Sequence, residues 1–305
     1  MSGPRILVIK LGALGDFVQA CGPFAAIRAH HGDADITLLT TRPYAEFAAA
    51  SPYFDHVWID DKPKMWQVGK VLELRRRLSG GHFTRVYDLQ TSDRSSSYFK
   101  LMGKVEWSGI ASGCSHPHDN PDRDFMHTID RQAEQLRMAG IEQVPLPDLS
   151  WVKGDPHRFG LPRPYVLLCP GGAPHRPAKR WPVEHFAALA AWLAQRAVTP
   201  VLLGTAKEED EIAAIQAACP QAVSLAGRTG FLDIVALARE AMAAVGNDTG
   251  PMHLIAAAQC PSVVLFSHDS DPNLCAPRGR VTILRVPDLS GLAVAEVEAA
   301  LAALT

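Results

Sequence analysis

The chain has no paired cysteines, no long apolar run and no excess of charge of one sign. Its six cysteines lie far apart without a Cys-x-x-Cys pair, which is typical of proteins in a reducing compartment. No apolar run approaches the ~20 residues that are needed to span a bilayer, and the first residues lead directly into a strand-like stretch. We therefore expect a cytoplasmic protein.

The charges almost balance, with 30 basic and 32 acidic residues. Such a chain has no overall field that would attract nucleic acid, so nucleic acid is not an expected partner and any anion site must be local. With 305 residues and 47% hydrophobic content, the chain exceeds the usual size of one domain. Two domains are the expectation.

Short β-branched runs alternate with helical patterns along the chain, which indicates an α/β fold with parallel, doubly wound sheets. In the first half, strands are predicted at 5–10, 35–41, 56–60, 84–90 and 105–110, and helices at 17–30, 43–50, 65–78, 94–102 and 128–139. In the second half, strands are predicted at 165–169, 200–204, 222–226, 243–246, 262–266 and 281–286, and helices at 183–196, 208–218, 231–240 and 252–258. Each half is predicted to be a Rossmann-like domain.

A Pro-rich, irregular stretch over 140–164 separates the two alternating patterns. We place a first domain at 1–150 and a second at 151–305. A last helix, predicted at 293–304, has an apolar face that must pack on something, and the first domain is a candidate. Ligands of open α/β folds bind at the carboxyl edge of the sheet, so two such domains are expected to face each other across a binding cleft.

The first strand ends in Lys10-Leu-Gly-Ala-Leu-Gly-Asp16, which places two glycines and a carboxylate at the carboxyl edge of the first sheet. Gly12 and Gly15 allow close backbone approach, but their spacing lacks the first half of the dinucleotide fingerprint, so an NAD site is not expected. Asp16, at the start of a helix, is a candidate general base that can accept a proton from an attacking hydroxyl. The alternative is an ordinary helix N-cap.

A basic loop joins a strand to a helix in the second half of the chain. It combines two glycines with three cations, namely Gly171, Gly172, Arg176, Lys179 and Arg180. A glycine turn beside lysine and arginine side chains suits a diphosphate. The alternative is a solvated basic loop.

A second junction of this kind is Val245-Gly-Asn-Asp-Thr-Gly-Pro-Met-His253, where a strand breaks into a helix. Backbone amides at Thr249 and Gly250 would be free there to bind an anion. Asp248 and His253 stand on either side of these amides. The alternatives are a helix N-cap for Asp248 and an ordinary helix histidine for His253.

Two further strand ends carry polar residues. Glu208 follows a strand of the second domain and can accept hydrogen bonds from ribose hydroxyls, or be a first-turn helix acid. In the first domain, Asp88, Gln90 and Arg94 follow a strand and, with Gly15 of the first loop, are candidates for binding an acceptor. The segment 114–127 is rich in histidine but matches no zinc spacing, so no metal is expected and a loop beside the cleft is the preferred interpretation.

Three of these segments together resemble the ADP-heptose:lipopolysaccharide heptosyltransferase family, glycosyltransferase family 9. They are the segments 9–16, 179–182 (Lys-Arg-Trp-Pro) and 246–253, and the resemblance spans nearly the whole chain. It implies a GT-B fold, in which two Rossmann-like domains face each other across a cleft. It also implies transfer of heptose with inversion, from an ADP-sugar donor to a glycolipid or glycan of the lipopolysaccharide core, without a required metal or cofactor.

Carried over residue by residue, the resemblance implies that Asp16 is the catalytic base and that Lys179 binds the donor diphosphate. Residues 248–250 resemble the donor-binding helix start, Glu208 resembles the ribose ligand, and Asp88-Leu-Gln90 resembles an acceptor-side motif. The loop 171–175 (Gly-Gly-Ala-Pro-His) departs from the small hydroxyl residues often found there. The resemblance therefore does not by itself identify the sugar.

Two other functions fit the same pattern. One is a GT-B enzyme that uses a different nucleotide-sugar, and the other is a non-catalytic nucleotide-sugar-binding protein, which would bind a nucleotide without turnover. The segment Lys62-Pro-Lys-Met-Trp66 places cations beside apolar residues and is a candidate for peripheral contact with the inner membrane. The alternative for that segment is an ordinary helix start.

Overall fold

The computed structural model describes residues 3–64, 66–172 and 175–305. The chain divides into two compact units, Met1–Trp151 and Val152–Thr305. Met65, at the start of a predicted helix, and Ala173 and Pro174, in the predicted diphosphate loop, lie outside the described residues.

The first unit is built on a six-stranded parallel sheet with the order β3-β2-β1-β4-β5-β6. The strands are β1 (Arg5–Ile9), β2 (Asp35–Thr40), β3 (His56–Ile59), β4 (Arg85–Asp88), β5 (Glu106–Gly109) and β6 (His116–Pro117). Buried apolar residues fill the central strand β1, as expected where helices cover both faces of a sheet. Because all strands are parallel, their carboxyl ends meet at one edge.

Six helices accompany this sheet: α1 (Leu14–Gln19), α2 (Cys21–His30), α3 (Ala45–Ala50), α4 (Val68–Gly80), α5 (Asp93–Met102) and α6 (Thr128–Met138). The single helix predicted over 17–30 is in fact α1 and α2, which meet at Ala20. Pro23 explains the break, since its ring would clash with the carbonyl of Gln19 in a continuous helix but fits the first turn of a new one.

The second unit repeats the same strand order, with β12-β11-β10-β7-β8-β9 all parallel. Its strands are β7 (Tyr165–Cys169), β8 (Thr199–Leu202), β9 (Val223–Ser224), β10 (Ala243–Asn247), β11 (Ser262–Phe266) and β12 (Val281–Arg285). In each unit the first strand is central, the next two lie on one side and the last three on the other. The predicted α/β fold with two Rossmann-like sheets is confirmed.

The helices of the second unit are α7 (Val183–Ala194), α8 (Glu209–Ala218), α9 (Phe231–Glu240), α10 (Gly250–Ala257), α11 (Pro272–Cys275) and α12 (Val294–Ala302). Val297 and Leu301 of α12 are buried in the core of the second unit, together with Phe186 of α7 and Leu265 of β11. The apolar face of the last helix is thus covered within its own unit. The sequence analysis had named the first domain as a candidate partner for this face.

One short strand and one short α-helix of the described residues were not predicted. Strand β6 lies inside the His-rich segment that was expected to be a loop, and its two residues are too few to produce an alternating pattern. Helix α11 has four residues and follows the N-cap Asp271, whose carboxylate accepts a hydrogen bond from the Asn273 amide. Within the described part of the chain, every helix is too short or too polar to cross a membrane.

Candidate active site

The loop after β1 crosses the carboxyl edge of the first sheet and is held by the loop after β4. The buried Lys10 ammonium donates a hydrogen bond to the Leu89 carbonyl at 3.0 Å, and the Leu11 amide donates to Gln90 Oε1 at 2.7 Å. Gly12 has φ +122°, and a Cβ there would lie 2.9 Å from the ring of Tyr44. Only glycine fits this turn, both in backbone conformation and in space.

Asp16 lies in the first turn of α1, two residues inside the helix. The N-cap position belongs to Ala13, so the alternative role of Asp16 as the N-cap does not apply. Its side chain is half-buried next to Gly15, and its carboxylate accepts no hydrogen bond from any of the described residues. A carboxylate in this state can accept a proton, and the negative charge is favoured at the amino end of a helix.

The charge of Asp16 acts on the pKa values of three ionisable side chains. Burial lowers the pKa of Lys10, and burial together with Arg123 lowers the pKa of Arg131, while Asp16 opposes both effects. Burial raises the pKa of Tyr44, and Asp16 raises it further. Asp16 is therefore close to two buried or half-buried cations and a phenol. Arg131 and Tyr44 were missed from the sequence, because each reaches Asp16 from a different element.

Asp88 and Gln90 hold the loops of this edge in place. Asp88 is fully buried, and its Oδ1 accepts hydrogen bonds from the Gln90 and Thr91 amides, both at 3.1 Å. Burial raises the pKa of Asp88 to about 6, and the charge of Lys10 opposes that rise. Gln90 is occupied by the Leu11 amide. The structure thus gives both residues a positioning role, and their predicted contact with an acceptor stays a prediction.

Arg94 lies on α5, further along the same edge. Its Nη1 donates to the Pro63 carbonyl at 3.3 Å and to the Tyr98 hydroxyl at 3.4 Å. The Tyr98 hydroxyl in turn donates to Asp60 Oδ2 at 2.6 Å. These bonds fasten the segment around Pro63 to α5, and the predicted contact of Arg94 with an acceptor also stays a prediction.

Asn247, at the end of β10, organises the carboxyl edge of the second sheet. Its side chain is fully buried, and its Nδ2 donates to the carbonyls of Pro170 at 2.8 Å and Gly171 at 3.1 Å. Its Oδ1 accepts from the Trp181 amide at 2.9 Å. One amide side chain therefore fastens both ends of the basic loop. Asn247 lies within the segment 245–253 but was not singled out there, although a polar residue at the end of a buried strand is a signal for such a role.

Lys179 of the basic loop forms a buried ion pair with Asp248. Its Nζ lies 2.6 Å from Asp248 Oδ2, and the two side chains are only 13% and 8% exposed. The Ser270 hydroxyl donates to the same carboxylate oxygen at 2.8 Å. The alternative of a solvated basic loop is therefore wrong for Lys179, which the structure brings together with a second predicted site residue. Ser270 was not singled out from the sequence.

Arg180 and Gly172 pack against each other. The Arg180 guanidinium donates to the Gly172 carbonyl at 2.7 Å and to Glu211 at 2.9 Å, so it is engaged within the protein. A Cβ on Gly172 would lie 3.1 Å from Arg180 Cγ, and a Cβ on Gly171 would lie 2.8 Å from Glu208 Cγ. The two glycines permit these close approaches.

Glu208 takes the helix-start role that was its alternative. Its Oε2 accepts hydrogen bonds from the Thr205 amide at 2.8 Å and from the Thr205 hydroxyl at 2.6 Å. This capping box closes the turn before α8. Glu208 also lies beside Gly171, at the edge of the sheet that carries Lys179. Its predicted contact with a ribose is compatible with this position and stays a prediction.

The start of α10 offers unoccupied donors. Thr249 is the N-cap, which excludes that role for Asp248, and its side chain caps nothing. Thr249 Oγ1 is buried and has no hydrogen-bond partner among the described residues. Within the same residues, the amides of Thr249 and Gly250 donate no hydrogen bond. A turn further on, His253 is buried. Free amides at a helix start form an anion site.

No group of three or more His, Cys, Asp or Glu side chains is placed to hold a metal ion in the described ranges. In the His-rich segment, His118 is 3% exposed, and its ring makes no hydrogen bond with any described residue. Burial lowers the pKa of His118, and Arg123 lowers it further.

Known proteins resemble this chain in sequence and in structure. A lipooligosaccharide heptosyltransferase 2 of Haemophilus influenzae is 36% identical over 129 residues, which are 41% of this chain and 37% of that protein. The match thus covers well under half the length of the curated relative. The structure of Escherichia coli ADP-heptose lps heptosyltransferase II superposes with a TM-score of 0.84 at 24% identity, over 98% of both chains. E. coli heptosyltransferase WaaC with ADP follows at a TM-score of 0.79 and 18% identity, over 99% of this chain and 100% of that one.

The family model of glycosyltransferase family 9 (heptosyltransferase) matches residues 71–291. This range takes in part of the first unit and nearly all of the second, including the ion pair of Lys179 with Asp248 and the start of α10. The resemblance noted from three sequence segments is confirmed. The chain belongs to glycosyltransferase family 9.

Proposed function

We propose that this protein is an inverting glycosyltransferase that moves heptose from ADP-heptose to a hydroxyl of the lipopolysaccharide core or a related glycan. The proposal rests on the groups that lie at the carboxyl edge of the second sheet. There the Lys179 ammonium, the buried Thr249 hydroxyl and two free amides stand together. Membership of the family and the heptosyltransferase names of the relatives support heptose as the sugar.

In the donor step, the diphosphate leaves the anomeric carbon of the sugar with its negative charge. The amides of Thr249 and Gly250, which the start of α10 holds in place, and the charge of Lys179 would stabilise that charge as it grows. Cations and amides can take the place of a metal ion. We therefore expect turnover to persist in the presence of a chelator.

In the acceptor step, a sugar hydroxyl attacks the anomeric carbon from the face opposite the diphosphate. The new carbon–oxygen bond forms as the bond to the diphosphate breaks, and Asp16 takes the hydroxyl proton. Its carboxylate suits this role because it has no hydrogen bond to the described residues. Lys10 and Arg131 place positive charge near this carboxylate.

The donor claim is tested by calorimetric titration with ADP, UDP, GDP and NAD. We expect preferential binding of ADP, weakened about 30-fold or more by Lys179→Ala, because loss of a charged donor to a phosphate typically costs at least 2 kcal/mol. Lys207→Ala is the matched control, since Lys207 is exposed on the same edge. A preference for UDP or GDP would replace the donor. Absence of nucleotide binding would contradict the proposal altogether.

We also propose that the acceptor is presented at the cytoplasmic face of the inner membrane and that a surface patch of the first unit contacts it. Trp66 is 73% exposed and Val68 is 60% exposed, and Lys64 Nζ lies 4.8 Å from the centre of the Trp66 ring. Lys62 and Lys70 are exposed beside them. An aromatic residue among lysines suits an anionic lipid surface. Cosedimentation with anionic vesicles should fall when Lys62 and Lys64 are neutralised, and unchanged binding would exclude this patch.

A further inference from the structure

Asp248 Oδ2 accepts two hydrogen bonds in this structure. One comes from Lys179 Nζ at 2.6 Å and the other from the Ser270 hydroxyl at 2.8 Å. The Asp248 side chain is 8% exposed, so water has little access to it. Lys179 and Ser270 thus share one oxygen of this carboxylate.

Lys179 faces a conflict if it binds a diphosphate. An ammonium that turns towards the phosphate oxygens gives up part of its contact with Asp248, and a buried carboxylate that loses its cation is strongly destabilised. Part of the affinity for the donor would then be lost in breaking the ion pair. The remaining partner of Asp248 decides how large that loss is.

We infer that Ser270 is a positioning residue of the donor site, which holds Asp248 when Lys179 turns to the diphosphate. This inference rests on the proposed function. A hydrogen bond to a carboxylate is worth more once the carboxylate has lost its counter-ion, so the Ser270 hydroxyl stabilises the donor-bound state more than the free state. It thereby lowers the cost of releasing Lys179.

The loop that carries Ser270 is built to keep its hydroxyl in place. It lies between β11 and α11, where the Asp269 amide donates to Ser267 Oγ at 3.2 Å and Asp271 caps α11. Asp271 also pairs with Arg285 of β12 at 3.3 Å. Both neighbours of Ser270 are thus fixed. A hydroxyl on a fixed loop can stay with Asp248 while the longer, flexible lysine moves.

The unpartnered Thr249 hydroxyl indicates where the diphosphate would arrive. Thr249 follows Asp248 in sequence, and its Oγ1 is buried without a partner among the described residues. Buried hydroxyls are normally hydrogen-bonded, so this donor is available for an incoming oxygen. An anion bound there would lie next to Asp248, and Lys179 between the two groups would have a choice of partner.

The test is a set of mutant cycles, read out by calorimetric titration. In the wild-type background, Ser270→Ala should weaken binding of ADP and of inorganic pyrophosphate about fivefold, the difference expected between a hydrogen bond to an unpaired and to a paired carboxylate. Ser270→Thr should restore the affinity, because it keeps the hydroxyl. Thermal denaturation of each variant shows whether the fold is intact.

Ser270→Ala in two further backgrounds tests whether its effect depends on the ion pair of Lys179 with Asp248. In Lys179→Ala or Asp248→Asn protein, no ion pair has to be broken, so Ser270→Ala should change the affinity less than twofold. An equal loss in all backgrounds would mean a direct or purely structural role and would overturn the inference while leaving the proposed function intact. Wild-type protein that binds neither ADP nor pyrophosphate would overturn both.

Discussion

The two units share one strand order, but the charged groups at their carboxyl edges differ. The edge of the first unit carries the carboxylates Asp16 and Asp88, with the buried Lys10 between the loops. The edge of the second unit carries Lys179 and the free amides at the start of α10. One edge suits removal of a proton, and the other suits an anion. The loops after the strands, not the sheet, create this difference.

Each unit also ends its fourth strand with a fully buried polar side chain, and these two residues differ in kind. Asp88 ends β4 and holds two amides of its own loop, whereas Asn247 ends β10 and holds the basic loop at both ends. Asp88 can be ionised and Asn247 cannot. We therefore expect Asp88 to make the free energy of unfolding depend on pH, and Asn247 to contribute no such dependence.

The largest expected effect comes from Asp16, the proposed general base. Asp16→Asn should lower kcat by about three orders of magnitude, as loss of a general base typically does, while the Kd for ADP stays unchanged. Steady-state kinetics and calorimetry on the same preparation measure both. Glu46→Gln is the matched control, because Glu46 is also a first-turn helix acid of the first unit. Near-normal turnover of the Asp16 variant would remove it from the role of base.

The next effect tests whether Asn247 holds the donor loop. Asn247→Ala removes a buried side chain that makes three hydrogen bonds and leaves a buried amide and two carbonyls to find new partners. We expect the free energy of unfolding to fall by about 3 kcal/mol, measured by urea denaturation. Asn273→Ala, at an exposed position, should change it little. An equally small change at Asn247 would show that the loop is held by other contacts.

The smallest effect concerns Asp88 and pH. Because burial raises its pKa from 3.8 to about 6, the native protein keeps this proton between those values while the unfolded chain loses it. Asp88 therefore makes the protein less stable as the pH rises through that window, and Asp88→Asn removes this contribution. From pH 4.5 to 7, the unfolding free energy of the variant should rise by about 2 kcal/mol relative to wild type. Parallel pH profiles of the two proteins would contradict this.

The sequence predicted the alternation of strands and helices because that pattern is local. All eleven predicted strands occur. Their observed ends differ from the predicted ends by a few residues, because the fraying of a strand end leaves no pattern in the sequence. It did not predict the division of one helix at Ala20, although Pro23 contained the signal. Strand β6 could not be predicted from the local sequence, because it is defined only by its pairing with β5.

The candidate site was predictable where a motif lies within one loop. Asp16, Lys179 and Asp248 stand in short segments with a recognisable composition. Asn247 and Ser270 were missed, since their roles come from partners that are far away in sequence: Asn247 bonds Pro170 and Trp181, and Ser270 bonds Asp248. A hydrogen bond across a sheet edge leaves no trace in the order of residues.

The most direct test of the central claim is to incubate the purified protein with ADP-heptose and lipopolysaccharide core that lacks heptose, and to follow product by mass spectrometry. The proposed function predicts that ADP is released, that the acceptor gains one heptose and that the product has inverted anomeric configuration. It also predicts that a chelator leaves the rate unchanged. Protein that binds ADP but forms no product with any core acceptor would contradict the transferase account and favour a nucleotide-sugar-binding protein.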